Sequence, residues 1–317
     1  MNRPYVEHLH VRNFGCLKDV EVELTQLHAF IGPNDSGKST LLRALRWLWY
    51  RPSDAAVRDA EITARTSANA VVKSTDTYNW NPSLGGSLRG GGAPFGPVRS
   101  LRLDPDMMRA PSRLIKHSDP IALGERGEGL PAVYDALLSR HLEHFIAISE
   151  RFVELFPTAK SIQLTNTSDD RKALSIKLVD GTNVEANELS EGMLYWLAFA
   201  SIPYLERTPL VVIEEPENGL HPARIREVMA SLRELSATTQ IILATHSPLV
   251  INELRPEEVT LLTRPGIEGT VATPLTATRN FAQRAKLYQP GELWLNYADG
   301  ELESDLVGPD EPAAIAQ

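Results

Sequence analysis

The chain has 317 residues, 42% hydrophobic and 23% charged, enough for one large domain or two small ones around a substantial core. Its 32 Lys and Arg against 41 Asp and Glu give a net charge of -9, which argues against coating nucleic acid by bulk electrostatics but leaves room for a local basic groove, and so for nucleic acid as a partner. The single cysteine, Cys16, excludes an internal disulfide and reads as a small buried apolar residue; no CxxC or Cys/His spacing suggests zinc. No secretion leader opens the chain, and the longest nearly apolar run, 193–205, is too short for a bilayer. A cytoplasmic protein without a membrane partner is expected.

Along the chain, "YVEHLHVRNF" (5–14) and "VEVEL" (20–24) alternate apolar with polar residues, as strands of a half-exposed antiparallel sheet do. "LHAFI" (27–31) is a continuous apolar strand running into "GPNDSGKST", and residues 39–50 then take helical apolar spacing through Leu41, Leu42, Leu45 and Leu48. Residues 51–100 read as loop, most clearly in "SLGGSLRGGGAPFGP" (83–97). One helical period runs through 129–156 and stops at Pro157; residues 160–186 read as a strand meander with a turn at Asp180-Gly181. A helix is expected over 190–204. Then come a buried strand "PLVVIEE" (209–215), an amphipathic helix (222–235) and a second buried strand "QIILATHS" (240–247). Continuous apolar strands separated by a helix indicate a parallel sheet covered on both faces.

Two local patterns carry chemistry. Gly32, Pro33, Asn34, Asp35, Ser36, Gly37, Lys38 and Ser39, followed by Thr40, fit G-x-x-x-x-G-K-[ST] between a predicted strand and a predicted helix. Gly32 and Gly37 let the backbone curl so that successive N–H groups face phosphates, and the helix that follows adds its positive dipole end. Lys38 is placed to reach the β- and γ-phosphates of ATP, and the Ser39 hydroxyl to ligate Mg2+. Asp35, a carboxylate close to phosphate, is expected to point outward. The second pattern is "VVIEEPENGLHP" (211–222), which sets Glu214, Glu215 and Glu217 behind an apolar run, where parallel sheets place their ligands. Glu214 is assigned to the magnesium shell and Glu215 to the attacking water, with Glu217 given to the turn and its contacts.

"LSEG" (189–192) stands before the acidic pair and "THSP" (245–248) after it. The order P-loop, LSxG, acidic strand, histidine resembles the ABC-type ATPases. The amino-terminal "LHVRNFGCLKDVEVEL" resembles the RecF, SMC-type and OLD (overcoming lysogenization defect) ATPases, and "EEPENGLHP" looks most like the OLD-like, AAA-labelled bacterial ATPases. "GELWLNYADGELESDL" (291–306) also looks like the carboxyl-terminal segment of that group.

The resemblance implies an α/β ABC-type P-loop ATPase head with a mixed or parallel central sheet, an N-terminal antiparallel sheet and a helical insert. It implies a homodimer, or a higher homo-oligomer, in which two ATP molecules are sandwiched. Ser190 and the amides around Gly192 would then act in trans, His246 would sense the γ-phosphate, and "PENGLHP" would link the two sites. The expected core is 1–50 with 158–275, the insert 51–157, and the carboxyl-terminal segment 276–317 with an acidic tail holding Asp299, Glu301, Glu303 and Asp305. OLD nucleases continue into a TOPRIM nuclease domain, whereas 71 residues follow His246 here and no such domain is expected among them. A separate effector, a nuclease or toxin in phage defence or DNA maintenance, is therefore expected. A RecF-like DNA-binding repair ATPase and a non-hydrolysing nucleotide-dependent scaffold are the alternatives. Tyr195 stands where relatives often carry Arg, and Arg12, Asn13 and Phe14 are candidates for adenine contact.

Overall fold

The computed structural model describes residues 4–48, 59–75, 98–264, 266 and 269–297. The Gly-rich stretch 83–97 and the acidic string Asp299, Glu301, Glu303 and Asp305 lie outside these. The chain divides into two compact units, Met1–Arg99 with Thr208–Glu217 and Leu232–Gln317, and Ser100–Arg207 with Asn218–Ser231. This partition differs from the boundaries read in the sequence at both ends of the insert. Residues 59–75 supply strands to the first unit, and 158–207 group with the second.

In the first unit, β1 (Val6–Phe14) and β2 (Leu17–Glu23) form the expected antiparallel pair, with Leu9, Val11, Leu17, Val20 and Val22 turned inward. Against expectation, β4 (Glu61–Thr66) and β5 (Val71–Thr75) extend this sheet in the order β2–β1–β4–β5. Ile62 and Ala64 alternate inward, and a left-handed Asn69 turns the hairpin. The second sheet contains β3 (Leu27–Ile31), β6 (Val98–Leu101), β11 (Leu210–Glu214), β12 (Gln240–Thr245), β13 (Val259–Thr263) and β14 (Val271–Pro274) in the order β14–β13–β3–β12–β11–β6. β13, β3, β12 and β11 run parallel, and β14 is antiparallel to β13. Every residue of β3 and β12 is buried, as strands covered on both faces require. Helix α1 (Lys38–Trp47) contributes Leu41, Leu42, Leu45 and Trp47 to one apolar cluster shared with both sheets, and Phe14 packs on Trp47 with ring centroids 5.4 Å apart.

The register sets out the site. Glu214 pairs with Ala244, Ala244 with Phe30 and Thr245 with Ile31. The acidic strand end, the strand end before His246 and the start of the phosphate loop therefore share one end of the sheet. The short helices α7 (Pro248–Asn252) and α8 (Phe281–Arg284) and the longer α9 (Pro290–Tyr297) complete the unit.

The second unit holds α2 (Pro105–Arg109), β7 (Ser112–Arg113), α3 (Leu130–Arg140), α4 (Leu142–Leu155), β8 (Ala159–Ser168), β9 (Arg171–Leu178), β10 (Asn183–Glu185) and α5 (Glu191–Ser201); α6 (Pro222–Ser236) begins in it. β8 and β10 flank β9 in the antiparallel meander that the sequence predicts, turned by Gly181 at φ +90°. The single helix expected over 129–156 is two. His141, at φ -140° and ψ 58°, donates its N–H to Leu137 and accepts from His144 and Phe145, ending α3 and starting α4 in one residue. The break re-aims α4 so that Ile148, Phe152 and Leu155 are buried, while α3 is buried along most of its length.

Candidate functional site

Between β3 and α1 the chain closes a loop around its own lysine. Gly32 has φ +153°, and a Cβ there would lie 2.2 Å from the Leu262 carbonyl oxygen; Gly37 has φ +103° and would meet Thr270 Oγ1 at 2.5 Å. Both glycines are thus required by close approach as well as by dihedral angle. Lys38 Nζ donates to the carbonyls of Gly32 and Pro33, each at 2.8 Å. Burial pushes the Lys38 amine below its usual pKa, opposed by the nearby carboxylates of Glu215, Glu217, Asp35 and Glu214. Asp35 is exposed, lines the same opening as Lys38 and adopts a left-handed φ of 65°. The Ser36 hydroxyl is buried without a hydrogen-bond partner among the described residues.

The acidic strand end meets this loop. Ser39 Oγ donates to Glu214 Oε2 at 2.9 Å, which joins the two residues assigned to the metal. Hydroxyl and carboxylate oxygens are the hard donors that magnesium prefers, so this pair fits the ion. Glu215 has φ 48°, unusual for a residue with a Cβ, and its N–H donates to the Ala244 carbonyl at 2.7 Å. Glu217 does more than serve the turn: its Oε1 accepts from Thr245 Oγ1 at 2.6 Å, and the side chain is only 9% exposed. Its Oε2 is buried and unpartnered among the described residues, an arrangement that costs about 1–3 kcal/mol. His246 Nδ1 lies 3.7 Å from Glu215 Oε1 and 3.8 Å from Glu217 Oε1.

A cavity of about 600 Å³ opens over the loop, within the size range of small-molecule sites. Asn34, Asp35, Gly37, Lys38, Ser39, Thr40 and Glu215 line it, together with Gly15, Cys16, Lys18, Arg43, Arg264 and Gly269, which the sequence reading did not assign to the site. Cys16 is half-buried, packed against the apolar core on one side and lining the cavity on the other. Thr270 is a further residue missed: its hydroxyl donates to the Ser36 carbonyl at 2.8 Å and pins the loop. Among the adenine candidates, Phe14 packs into the core on Trp47 and Arg12 pairs with Asp19. The next residues along, Gly15, Cys16 and Lys18, are the ones at the cavity.

Ser190 and Gly192 belong to the second unit, whereas the P-loop, Glu214, Glu215 and His246 belong to the first. Ser190 caps α5, its Oγ accepting from the Met193 N–H at 3.3 Å, and the residue is exposed. A Cβ at Gly192 would lie 3.1 Å from the Gly219 carbonyl oxygen, and one at Gly219 would strike the Tyr195 ring at 2.6 Å. Tyr195 is thus a buried packing residue whose hydroxyl donates to the Leu103 carbonyl at 3.2 Å.

The family described as "AAA ATPase domain" matches residues 5–78, and the one described as "AAA domain, putative AbiEii toxin, Type IV TA system" matches residues 73–252, more than half the chain. The chain belongs to this AAA-domain family. The AAA-domain chain is 26% identical over 333 aligned positions to the OLD nuclease of Thermus scotoductus (strain ATCC 700910 / SA-01), covering 81% of this chain and 62% of the relative. It thus spans about three-fifths of the length of that curated protein. An SMC head bound to the C-winged helix domain of ScpA superposes with TM-score 0.55 at 14% identity, covering 85% of this chain and 97% of that one. An SMC head with an extended coiled coil, bound to the C-terminal domain of ScpA derived from Pyrococcus furiosus, gives TM-score 0.54 at 13% identity, covering 90% and 98%. The AAA-domain chain thus shares the fold of the SMC heads and is similar in sequence to an OLD nuclease. No helix among the described residues is long and apolar enough to cross a membrane.

Proposed function

We propose that the chain is a cytoplasmic, Mg2+-dependent ATP hydrolase that pairs with a second copy around ATP and regulates a separate effector, a nuclease or toxin in phage defence or DNA maintenance. The observation that carries the chemistry is the 2.9 Å hydrogen bond from the P-loop hydroxyl of Ser39 to Glu214 at the end of the buried strand. Magnesium held by these two oxygens would neutralise charge on the phosphates. Lys38 exchanges the loop carbonyls that now satisfy it for phosphate oxygens, and the N–H groups of 34–40 complete the cradle. Glu215, with its side chain 41% exposed beside the cavity, accepts the proton of the attacking water, and His246 faces the same carboxylate. Ser190, exposed at the α5 N-cap, accepts one hydrogen bond and keeps its own proton to donate to the γ-phosphate held by a neighbouring copy.

The effector assignment draws on the family description, which names a toxin, and on the longer curated relative, which is named a nuclease. The test of the chemistry is Glu215→Gln, which keeps shape and hydrogen bonding and removes the base. ATP hydrolysis is expected to fall by about 10²–10⁴-fold with ATP binding kept. Equal rates for the two proteins would refute the assignment and leave a nucleotide-dependent scaffold.

A further inference from the structure

We propose that Glu217 and Trp294 form a clamp on the main chain of His246 and fix the direction of its imidazole, so that both are positioning residues for the ATPase site; the role in turnover rests on the reading above. The His246 side chain is 52% exposed, and the 3.7 Å and 3.8 Å separations of Nδ1 from Glu215 and Glu217 are too long for direct hydrogen bonds. The direction in which the side chain leaves the main chain is set by the backbone, and that backbone is held from two sides. On one, Glu217 Oε1 accepts the Thr245 hydroxyl at 2.6 Å and the His246 N–H at 3.4 Å, while Thr245 Oγ1 accepts the Ser247 N–H at 3.0 Å. On the other, the indole Nε1 of Trp294 donates to the His246 carbonyl at 3.0 Å. The N–H and the C=O of one residue thus both end on buried side chains.

Trp294 is only 6% exposed and is delivered by α9, which lies hard against α7. A Cβ at Gly291 would stand 2.1 Å from the Pro248 carbonyl oxygen, and the Gly291 N–H donates to Asn252 Oδ1 at 2.8 Å. Only glycine permits that approach. Glu217 is an expensive way to close a strand end, because one carboxylate oxygen is buried with no hydrogen-bond partner among the described residues. A group kept at such a cost beside Lys38 and His246 points to function.

The test uses Trp294→Phe, which keeps the aromatic ring and removes the N–H, and Glu217→Leu, which keeps the bulk and removes the acceptor. The full chain is labelled with ¹⁵N-histidine, and the His246 imidazole signal is assigned by its loss in His246→Ala. Both variants are expected to shift that signal and to lower kcat about five-fold, the scale of one net hydrogen bond, with ATP Kd unchanged within two-fold in Trp294→Phe, which removes no charge. In the His246→Ala background neither change should lower kcat further, because both act through His246. An unmoved imidazole signal in both variants, or losses that add fully in the His246→Ala background, would overturn the clamp. If wild-type protein shows no hydrolysis the ATPase reading fails, and the imidazole signal alone then decides the clamp.

Discussion

His28 is the second residue of β3, 1% exposed, with Nε2 3.0 Å from Thr260 Oγ1 and Nδ1 3.3 Å from Thr25 Oγ1. Burial drives its pKa from 6.5 down to about 3, against the opposing pull of Glu258. The native ring is therefore neutral where an unfolded histidine would be charged. Below pH 6.5 protons favour the unfolded chain, so stability is full above that pH and is lost as pH falls toward 3. At pH 5 the difference of about 1.5 pH units from the unfolded pKa amounts to roughly 2 kcal/mol. With an unfolding entropy of about 2 cal/mol/K per residue, that lowers Tm by about 3 °C if the chain melts as a whole, and by about 5 °C if the first unit melts alone. The assay is thermal melting by circular dichroism at pH 7.5 and 5.0 for wild type and His28→Asn. Asparagine does not titrate, so the variant, though less stable at neutral pH, should lose about 2 kcal/mol less on acidification. Equal losses in the two proteins would refute the argument that His28 is held neutral.

Two further outcomes are expected at the phosphate loop. Gly32→Ala should weaken ATP binding at least about ten-fold by calorimetry, because the Cβ would press on the Leu262 main-chain carbonyl, which cannot swing aside, and forces the loop to shift. An unchanged Kd would show that the loop absorbs a methyl group. Lys38→Ala should abolish measurable ATP binding, since the phosphate charge is left uncompensated; retained affinity in the same titration would remove Lys38 from its role.

Much of the site was legible in the sequence because its chemistry is local. The glycine spacing around Lys38, and Glu214 behind four apolar strand residues, are consecutive-residue signals, and the register of β3, β12 and β11 brings them to one end of the sheet. The β4–β5 hairpin was not legible. Its inward residues are small or few, Ala64 and Thr66 beside Ile62 and Val72, so the alternation that marked β1 is too faint to separate from loop. The break at His141 escaped notice because apolar spacing continues across it and no Gly or Pro marks it. Residues that reach the site from far along the chain leave no local trace. Thr270 lies 234 positions from Ser36, and Trp294 lies 48 from His246. Glu217 was read as a turn residue because spacing cannot show that its carboxylate crosses to Thr245.

The central claim is that ATP joins two copies, the α5 N-terminus of one capping the nucleotide held by the other. Light scattering coupled to size exclusion, on Glu215→Gln with and without Mg–ATP, tests it most directly. Nucleotide should double the molar mass from the 35.1 kDa chain, and Ser190→Arg should prevent the doubling without lowering ATP affinity. A mass that stays at one chain while ATP is bound would contradict the account.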